Sequence, residues 1–385
     1  MSSYELYTTP VPTGTWNVPM AGAARLSWEY DGGRDRLLAL YQKGKDKQWD
    51  ALKRIDWDQE IDPLNVAGLP PEFTLLFGSD LWNRMSHEAR AEVDRHHGAW
   101  LFSQFLHGEQ GALTVSARIV ESVPDQDSKL YAATQVMDEA RHMELFGRFV
   151  HEKIAMSYPI NQDLAGLLAE SLRDSRWDLP YLGMQVLIEG LALASFGLYR
   201  DVATAPLVKQ LLAYVMQDEA RHVAFGRLVL KEHYAELTSR ERAEREEFVI
   251  EGSRLMWDRF TGREIFETLD LPLDECMRHV ATSELVTLYR SLLFGRIVPI
   301  IRDIGLWSDR VRSAYADLGV LDHAKADLIA LMRQDENIAE RYDKERAEER
   351  AEAELRDRRA GGGGRGGTAR CGAVSLGAVN QRSAR

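Results

Sequence analysis

Apolar side chains recur at helical spacing along most of this chain. Between about residues 83 and 122, Val93, Trp100, Leu101, Phe105 and Leu113 follow one another at intervals near three, four and seven, the repeat of a helix with one apolar face. No comparable run of alternating positions predicts a strand, so the expected fold class is all-α. The predicted long helices are 86–122, 127–157, 161–173, 179–201, 206–236, 239–267, 274–303 and 309–339.

The two ends of the chain break this pattern. Residues 1–33 are rich in Pro, Gly and Thr and predict an irregular arm, followed by a helix at 34–50 and by loops at 56–80. Residues 340–359 are almost wholly charged or alanine and predict a solvated helix, and the glycine-rich remainder predicts disorder. We therefore divide the chain into an N-terminal arm (1–79), a helical domain (80–340) and a charged helix with a disordered tail (341–385).

Charge and composition narrow the partners. A net charge of −12 over 385 residues argues against a nucleic-acid partner, which needs a basic surface. We find no apolar run near twenty residues and expect no membrane span. The N-terminus lacks the basic start and apolar stretch of a secretory signal. The two cysteines cannot form a disulfide framework and fit a reducing compartment, so we expect a cytoplasmic protein.

The pentapeptide DEARH occurs twice, at 138–142 and at 218–222. In each copy the second acid and the histidine stand three apart, so Glu139 with His142, and Glu219 with His222, share a helical face. These are the only two Glu-x-x-His pairs in the chain. Each pair can therefore present a carboxylate and an imidazole to one point.

A lone glutamate stands thirty residues before each of these pairs. Glu109 precedes Glu139, and Glu189 precedes Glu219, both in otherwise apolar segments, where an unpaired carboxylate is costly. The midpoint of each interval carries a turn signal, near Pro124 and in VATAP. A turn there folds each half into an antiparallel helix pair, with both glutamates roughly 22 Å from the turn. The halves together predict a four-helix bundle with four carboxylates and two imidazoles inside, an arrangement that binds two metal ions.

The other members of the pentapeptide can support the ligands. Asp138 and Asp218 each stand four residues before the histidine of their own copy, the distance at which a helix lets a carboxylate accept the N–H of that imidazole. Arg141 and Arg221 can offset the charge of the aspartates. The alternative is a surface salt-bridge ladder on a helical scaffold without metal, which the matched upstream glutamates make less favourable.

These residues resemble the ferritin-like, ribonucleotide-reductase-like superfamily of non-haem di-iron carboxylate proteins, in particular its oxygen-activating branch of monooxygenases and desaturases. The resemblance implies a ferritin-like four-helix bundle with additional C-terminal helices. It also implies two iron ions, with Mn/Fe as an alternative to Fe/Fe. The implied ligands are Glu109, Glu139 and His142 for one ion and Glu189, Glu219 and His222 for the other, with Glu139 and Glu219 as bridging, catalytic carboxylates.

Three positions differ from individual subgroups of this branch. Phe146 stands where reductase subunits carry a radical tyrosine, and Leu193 where multicomponent hydroxylases carry a threonine. Val215 stands where arylamine N-oxygenases carry a further histidine ligand. We therefore expect the chain to fall outside the arylamine N-oxygenases.

The expected function is that of a di-iron oxygenase that activates O₂ to hydroxylate or N-oxygenate a small apolar or aromatic substrate. The alternatives are a ferroxidase or peroxide-scavenging iron-handling protein and an acyl desaturase-like oxidase. Turnover implies an external reductase or ferredoxin-type electron donor, and base rates favour a homodimer. The expected pocket is lined by Phe105, Leu106, Ala112, Leu113, Val186, Leu193, Phe196 and Val223.

Overall fold

The fold is helical throughout the part of the chain that the structure describes, a computed structural model covering residue 20, residues 22–26 and residues 33–361. No strand occurs among these residues, which confirms the predicted all-α class. The helices are α1 (Asp35–Asp46), α2 (Ala51–Arg54), α3 (Asp80–Arg84), α4 (His87–Ser122), α5 (Gln126–Arg148), α6 (Gln162–Arg173), α7 (Asp178–Tyr181), α8 (Glu189–Val202), α9 (Pro206–Ala235), α10 (Ser239–Asp258), α11 (Arg263–Thr268), α12 (Leu273–Thr282), α13 (Glu284–Leu293), α14 (Ile297–Asp303), α15 (Asp309–Asp317), α16 (Leu328–Glu336) and α17 (Ile338–Gly361).

Two helical hairpins form the centre of the fold. Helix α4 packs along α5, and α8 packs along α9, with turns at the predicted midpoints. Asp125 caps the start of α5 by accepting a hydrogen bond from the Ser128 N–H, and Pro206 begins α9, a position where its missing N–H costs nothing. These local signals fix the turns and so set the glutamates of each hairpin opposite each other.

A π-helical segment, Leu182–Ile188, leads directly into α8 and therefore into Glu189. Such segments widen a helix by one residue and occur mostly at functional sites. Its Gln185 lies against α9 at Gly226, where an added Cβ would come within 2.4 Å of the Gln185 Cβ. The missing side chain at Gly226 therefore lets the widened turn approach the bundle. A second π-helical segment, Phe149–Ile154, follows α5.

The predicted helices beyond residue 239 are interrupted, which corrects their bounds. The helix predicted at 239–267 ends at Asp258, and Gly262 adopts a left-handed φ of 64° before α11 begins. Those predicted at 274–303 and 309–339 divide at capping residues, since Ser283 caps α13 and Asp327 caps α16. Apolar positions keep their helical spacing across these short turns, so periodicity alone did not reveal the breaks.

One stretch corrects the statement that no apolar run approaches twenty residues. Residues Asp178–Val202 are long and apolar enough to cross a membrane by length and composition. In the fold, 78% of the most apolar window of this stretch is buried. The apolar character of the stretch is accounted for by its place in the core of the bundle.

The chain divides into two compact units, Met1–Ala339 and Glu340–Arg385. In the first, α1 packs against α5 and α9, so part of the predicted N-terminal arm covers the bundle. In the second, the described residues 340–361 are helical. The predicted disorder of the glycine-rich tail lies outside the described residues, as does most of the predicted irregular arm.

Candidate metal centre

Six buried side chains from the four bundle helices meet at one point, and they are the six predicted from the sequence. His142 places its Nδ1 3.3 Å from Glu109 Oε2 and 3.4 Å from Glu139 Oε2. The same nitrogen lies 3.2 Å from Glu219 Oε1. Each of the six side chains belongs to a residue that is at most 5% exposed: Glu109, Glu139, His142, Glu189, Glu219 and His222.

The cluster forms two sites that share two carboxylates. We call Glu109, Glu139, His142 and Glu219 the His142 site, and Glu139, Glu189, Glu219 and His222 the His222 site. In each site, one donor atom per residue lies within 4.8 Å of every other. His222 Nδ1 lies 3.0 Å from Glu139 Oε1 and 3.3 Å from Glu219 Oε2. Glu139 and Glu219 therefore stand where bridging ligands must stand, and their ligand roles remain predictions.

The electrostatics of the cluster favour cations. Burial, followed by the charges of Glu219 and Glu139, raises the pKa of Glu189 well above its usual value. Burial likewise raises the pKa of Glu109 well above normal, because the attraction of His142 does not offset it. For Glu139, burial is outweighed by the two imidazoles, which hold its pKa below normal. Crowded carboxylates in a low dielectric are stable when protonated or when bound to metal.

Several atoms of the cluster lack a hydrogen-bonding partner in the described structure. Glu139 Oε2, Glu189 Oε2 and His142 Nδ1 are buried and make no hydrogen bond of acceptable geometry. Buried polar atoms are rarely left in this state unless they serve another purpose. Carboxylate oxygen and imidazole nitrogen are together suited to iron and manganese. The residues present therefore fit a two-metal centre.

The aspartates of the two pentapeptides support the histidine of the opposite copy, which corrects the predicted pairing. His142 Nε2 lies 3.1 Å from Asp218 Oδ2, and His222 Nε2 lies 3.2 Å from Asp138 Oδ2. Each imidazole reaches across the space between α5 and α9, so its outer nitrogen faces the neighbouring helix rather than its own. The aspartates keep their predicted task of fixing the ring, but they link the two halves of the bundle.

The arginines of the pentapeptides bind both aspartates. The Arg141 guanidinium donates to Asp138 Oδ1 at 2.5 Å and to Asp218 Oδ2 at 2.7 Å. Arg221 pairs with Asp218 and lies 3.5 Å from Asp138 Oδ2. Two buried anions thus face two buried cations, so this layer adds no net charge to the centre.

The N-terminal segment contributes two residues that the sequence analysis missed. Gln48 Nε2 donates to Asp138 Oδ1 at 2.7 Å, and Trp49 Nε1 donates to Asp218 Oδ2 at 2.8 Å. The Arg141 guanidinium also lies 4.8 Å from the centre of the Trp49 ring. Nothing in the local sequence distinguishes these two residues from a surface pair, because their role depends on where α1 leads the chain.

Two glutamines on the His222 site were also missed. Gln135 Nε2 donates to Glu189 Oε1 at 2.7 Å and to Glu139 Oε1 at 3.1 Å. Gln185 Nε2 in turn donates to Gln135 Oε1 at 3.2 Å. The sequence offers a usable signal for Gln135, which stands one helical turn before Glu139 on the same face.

A cavity adjoins the carboxylates on one side of the cluster. Of the eight predicted lining residues, Phe105, Ala112 and Phe196 contribute to it. The other five belong to different faces of their helices, since periodicity selects an apolar side without showing which part of it meets a cavity. The full lining is Gln104, Phe105, Gly108, Glu109, Ala112, Ile188, Glu189, Leu191, Ala192, Phe196, Glu219, Arg259 and Phe260.

Comparison with known proteins gives a family match. The model of the family described as P-aminobenzoate N-oxygenase AurF matches residues 33–305. No curated protein matches the chain. Among similar solved structures, one R2-like ligand-binding oxidase variant with an anaerobically reconstituted Mn/Fe cofactor is 17% identical, with a TM-score of 0.44 over 74% of this chain and 97% of that chain. Another variant of that oxidase is 16% identical, with a TM-score of 0.48 over 73% of this chain and 100% of that chain.

Proposed function

Because the matching family model covers more than half of the chain, the chain belongs to the P-aminobenzoate N-oxygenase AurF family and is a di-metal oxidoreductase, and we propose that it N-oxygenates a small aromatic amine with O₂. The observation that carries the proposal is the buried pair of sites sharing Glu139 and Glu219, beside a cavity with aromatic walls. The family description supplies the reaction class.

Family membership corrects one expectation. Val215, where arylamine N-oxygenases carry a further histidine, does not place the chain outside the family. Val215 is fully buried and offers no donor atom. The described cluster therefore has six ligands. A single ligand position was a poor criterion because the family match rests on the whole range of residues 33–305.

The proposed reaction consumes one O₂, two electrons and two protons per oxygen atom transferred. An amine R–NH₂ becomes the hydroxylamine R–NHOH, and the second oxygen atom leaves as water. Two iron ions, bound by the six ligands, would supply the redox chemistry that activates O₂. The chain has two cysteines, fewer than the four that a cysteine-ligated iron–sulfur cluster needs, so we propose an external ferredoxin-type or flavin-type donor for the electrons.

The residues of the chain have separable tasks in this reaction. Glu139 and Glu219 hold both ions together, and the aspartates fix the two imidazoles in orientation and tautomer. Phe105, Phe196 and Phe260 line the cavity, where they exclude bulk water from the reacting atoms. An aromatic wall of this kind favours an organic substrate over the iron-handling alternative, in which ferrous iron itself is oxidised.

The test is oxygen incorporation into an amine. Iron-loaded protein is reduced chemically, mixed with p-aminobenzoate or aniline, and exposed to ¹⁸O₂, and the product is analysed by mass spectrometry. We expect one ¹⁸O atom per hydroxylamine formed. Glu139→Ala is expected to lose this activity, while Glu144→Ala, an exposed glutamate on the same helix, is expected to keep it.

Two results would contradict the proposal. One is O₂ consumption by the iron-loaded protein without any ¹⁸O in the amines, which would favour a ferroxidase. The other is full activity in Glu139→Ala, which would remove the centre from the chemistry.

A further inference from the structure

One buried arginine beside the centre has no counter-ion. Arg259 follows α10 directly and is 4% exposed. Among the described residues its guanidinium has no oxygen acceptor, and its Nε has no partner at all. Its nearest polar contact is Met256 Sδ, 3.8 Å from Nη1, and the group lies 4.8 Å from the centre of the Phe260 ring.

Arg259 is exceptional among the buried arginines of this chain. Leaving a buried cation unpaired is costly, and burial lowers the pKa of Arg259 to about 10, which still leaves it charged at neutral pH. Each of the other buried arginines that the structure describes has an oxygen partner: Arg118 with Glu121, Arg141 and Arg221 with both aspartates of the centre, Arg245 with Asp178, and Arg290 with the Phe260 carbonyl.

The location of Arg259 indicates what it is for. Its side chain lines the same cavity as Glu109, Glu189 and Glu219. The four ligand carboxylates are balanced once two divalent cations bind, and Asp138 and Asp218 are balanced by two arginines. Arg259 then remains an uncompensated positive charge facing the cavity. Asp163 attracts it electrostatically but lies beyond salt-bridge distance.

We propose that Arg259 binds the carboxylate of the organic substrate, which makes the substrate class an aromatic monocarboxylate. The proposal rests on the proposed function, because it takes this cavity to be the substrate site. A planar guanidinium accepts a carboxylate through two parallel hydrogen bonds. The aromatic body of the substrate lies among Phe105, Phe196 and Phe260, and its opposite end faces the ligand carboxylates.

The cavity must widen when such a substrate binds. Its present volume is about 30 Å³, enough for a single water molecule. Phe105 and Phe196 meet edge to face with their ring centres 4.7 Å apart, so rotation of either ring opens space between Arg259 and the centre. The backbone around Arg259 has less freedom, because an added Cβ at Gly262 would come within 2.3 Å of Leu75 Cδ1. The charge is therefore held in place while the aromatic wall moves.

The test compares a charged ligand with its neutral analogue. Binding of benzoate, 4-aminobenzoate and benzamide to the iron-loaded protein is measured by anaerobic titration calorimetry. Wild type is expected to bind benzoate and 4-aminobenzoate at least ~10-fold more tightly than benzamide. Arg259→Met is expected to lose about 10- to 100-fold in benzoate affinity and little in benzamide affinity, while Arg259→Lys keeps part of the preference.

The matched control is Arg118→Met, which removes a buried arginine that has its own partner in Glu121. It is expected to leave the preference for benzoate unchanged. Thermal melting provides a second readout, since benzoate should raise the melting temperature of wild type but not of Arg259→Met. Folding of the variant is expected, because it loses an unpaired charge rather than a contact.

Three results would overturn the inference: equal affinity for benzoate and benzamide in wild type, no binding of benzoate at all, or unchanged benzoate affinity in Arg259→Met with iron content intact. The proposed function fails separately, through absence of iron or of ¹⁸O transfer to an amine. An enzyme that oxidises aniline as well as p-aminobenzoate, with no preference for the carboxylate, would sink the inference alone.

Discussion

The two metal sites have the same kinds of ligand but different surroundings. At the His222 site, Glu189 accepts a hydrogen bond from Gln135, which Gln185 supports in turn. At the His142 site, the described structure shows no side-chain amide or hydroxyl donating to Glu109, whose polar neighbour is His142. One terminal carboxylate is held, and the other is free to move when the oxidation state or the ligands change.

The comparison also separates shared from private ligands. Glu139 and Glu219 belong to both sites, whereas Glu109 and Glu189 each belong to one. Removal of a shared ligand must affect both ions, but removal of a private ligand leaves three ligands at one site and four at the other. This difference gives the first and largest prediction.

Glu139→Ala is expected to lose both metal ions, and Glu109→Ala to keep one. Metal content per chain, measured by mass spectrometry of the elements after removal of loosely bound metal, checks both variants. Glu144→Ala provides the surface control on α5 and should retain two ions. Equal losses in Glu139→Ala and Glu109→Ala would mean that the sites do not share ligands as described.

The crossed aspartates predict effects at the opposite site. Asp218→Asn is expected to weaken metal binding at the His142 site by about 10- to 100-fold, the usual effect of losing the partner of a ligand histidine. The single-site backgrounds Glu189→Ala and Glu109→Ala isolate the His142 site and the His222 site for titration. The larger loss should occur in the Glu189→Ala background; a larger loss in the other would restore the pairing within one helix.

The crossing shows where reasoning from sequence ended. Spacing predicted the six clustered residues, because the interval of thirty residues and the turn at its midpoint fix which positions oppose each other. Spacing could not tell whether Asp138 reaches the ring of His142 or that of His222, since this depends on how far apart α5 and α9 lie. The roles of Gln48 and Trp49 depend likewise on the path of the chain after α1.

The cavity gives a second example. Periodicity identified Phe105 and Phe196 as apolar neighbours of the ligands, but Arg259 lies forty residues beyond the second Glu-x-x-His pair, after a helix predicted to continue. Only the break before Gly262 turns its side chain towards the centre. Interruptions of a helix, which weak local signals decide, are therefore where the sequence conveys least and the site gains most.

Metal uptake is expected to release protons and to strengthen as pH rises. Burial raises the pKa values of Glu109 and Glu189, so these private ligands hold protons in the metal-free protein that a cation must displace. Each proton displaced makes the affinity about tenfold weaker per unit fall in pH. Titration calorimetry in buffers of different ionisation enthalpy counts the protons, and Glu109→Ala should release fewer. Uptake without proton release would contradict the assignment.

The smallest expected effect distinguishes the two private ligands. Gln135→Met removes the hydrogen bond to Glu189 at similar volume, worth about 1 kcal/mol or a factor of about five in affinity. The loss should occur at the His222 site, measured in the Glu109→Ala background, and not at the His142 site. An equal loss at both sites would show that Gln135 acts through Glu139 instead.

The most direct measurement of the central claim is anomalous X-ray diffraction at the iron edge from crystals of the iron-loaded protein. The account predicts two peaks per chain, one within bonding distance of His142 Nδ1 and the other of His222 Nδ1, with Glu139 and Glu219 reaching both. A single peak, or iron bound away from these six side chains, would contradict it.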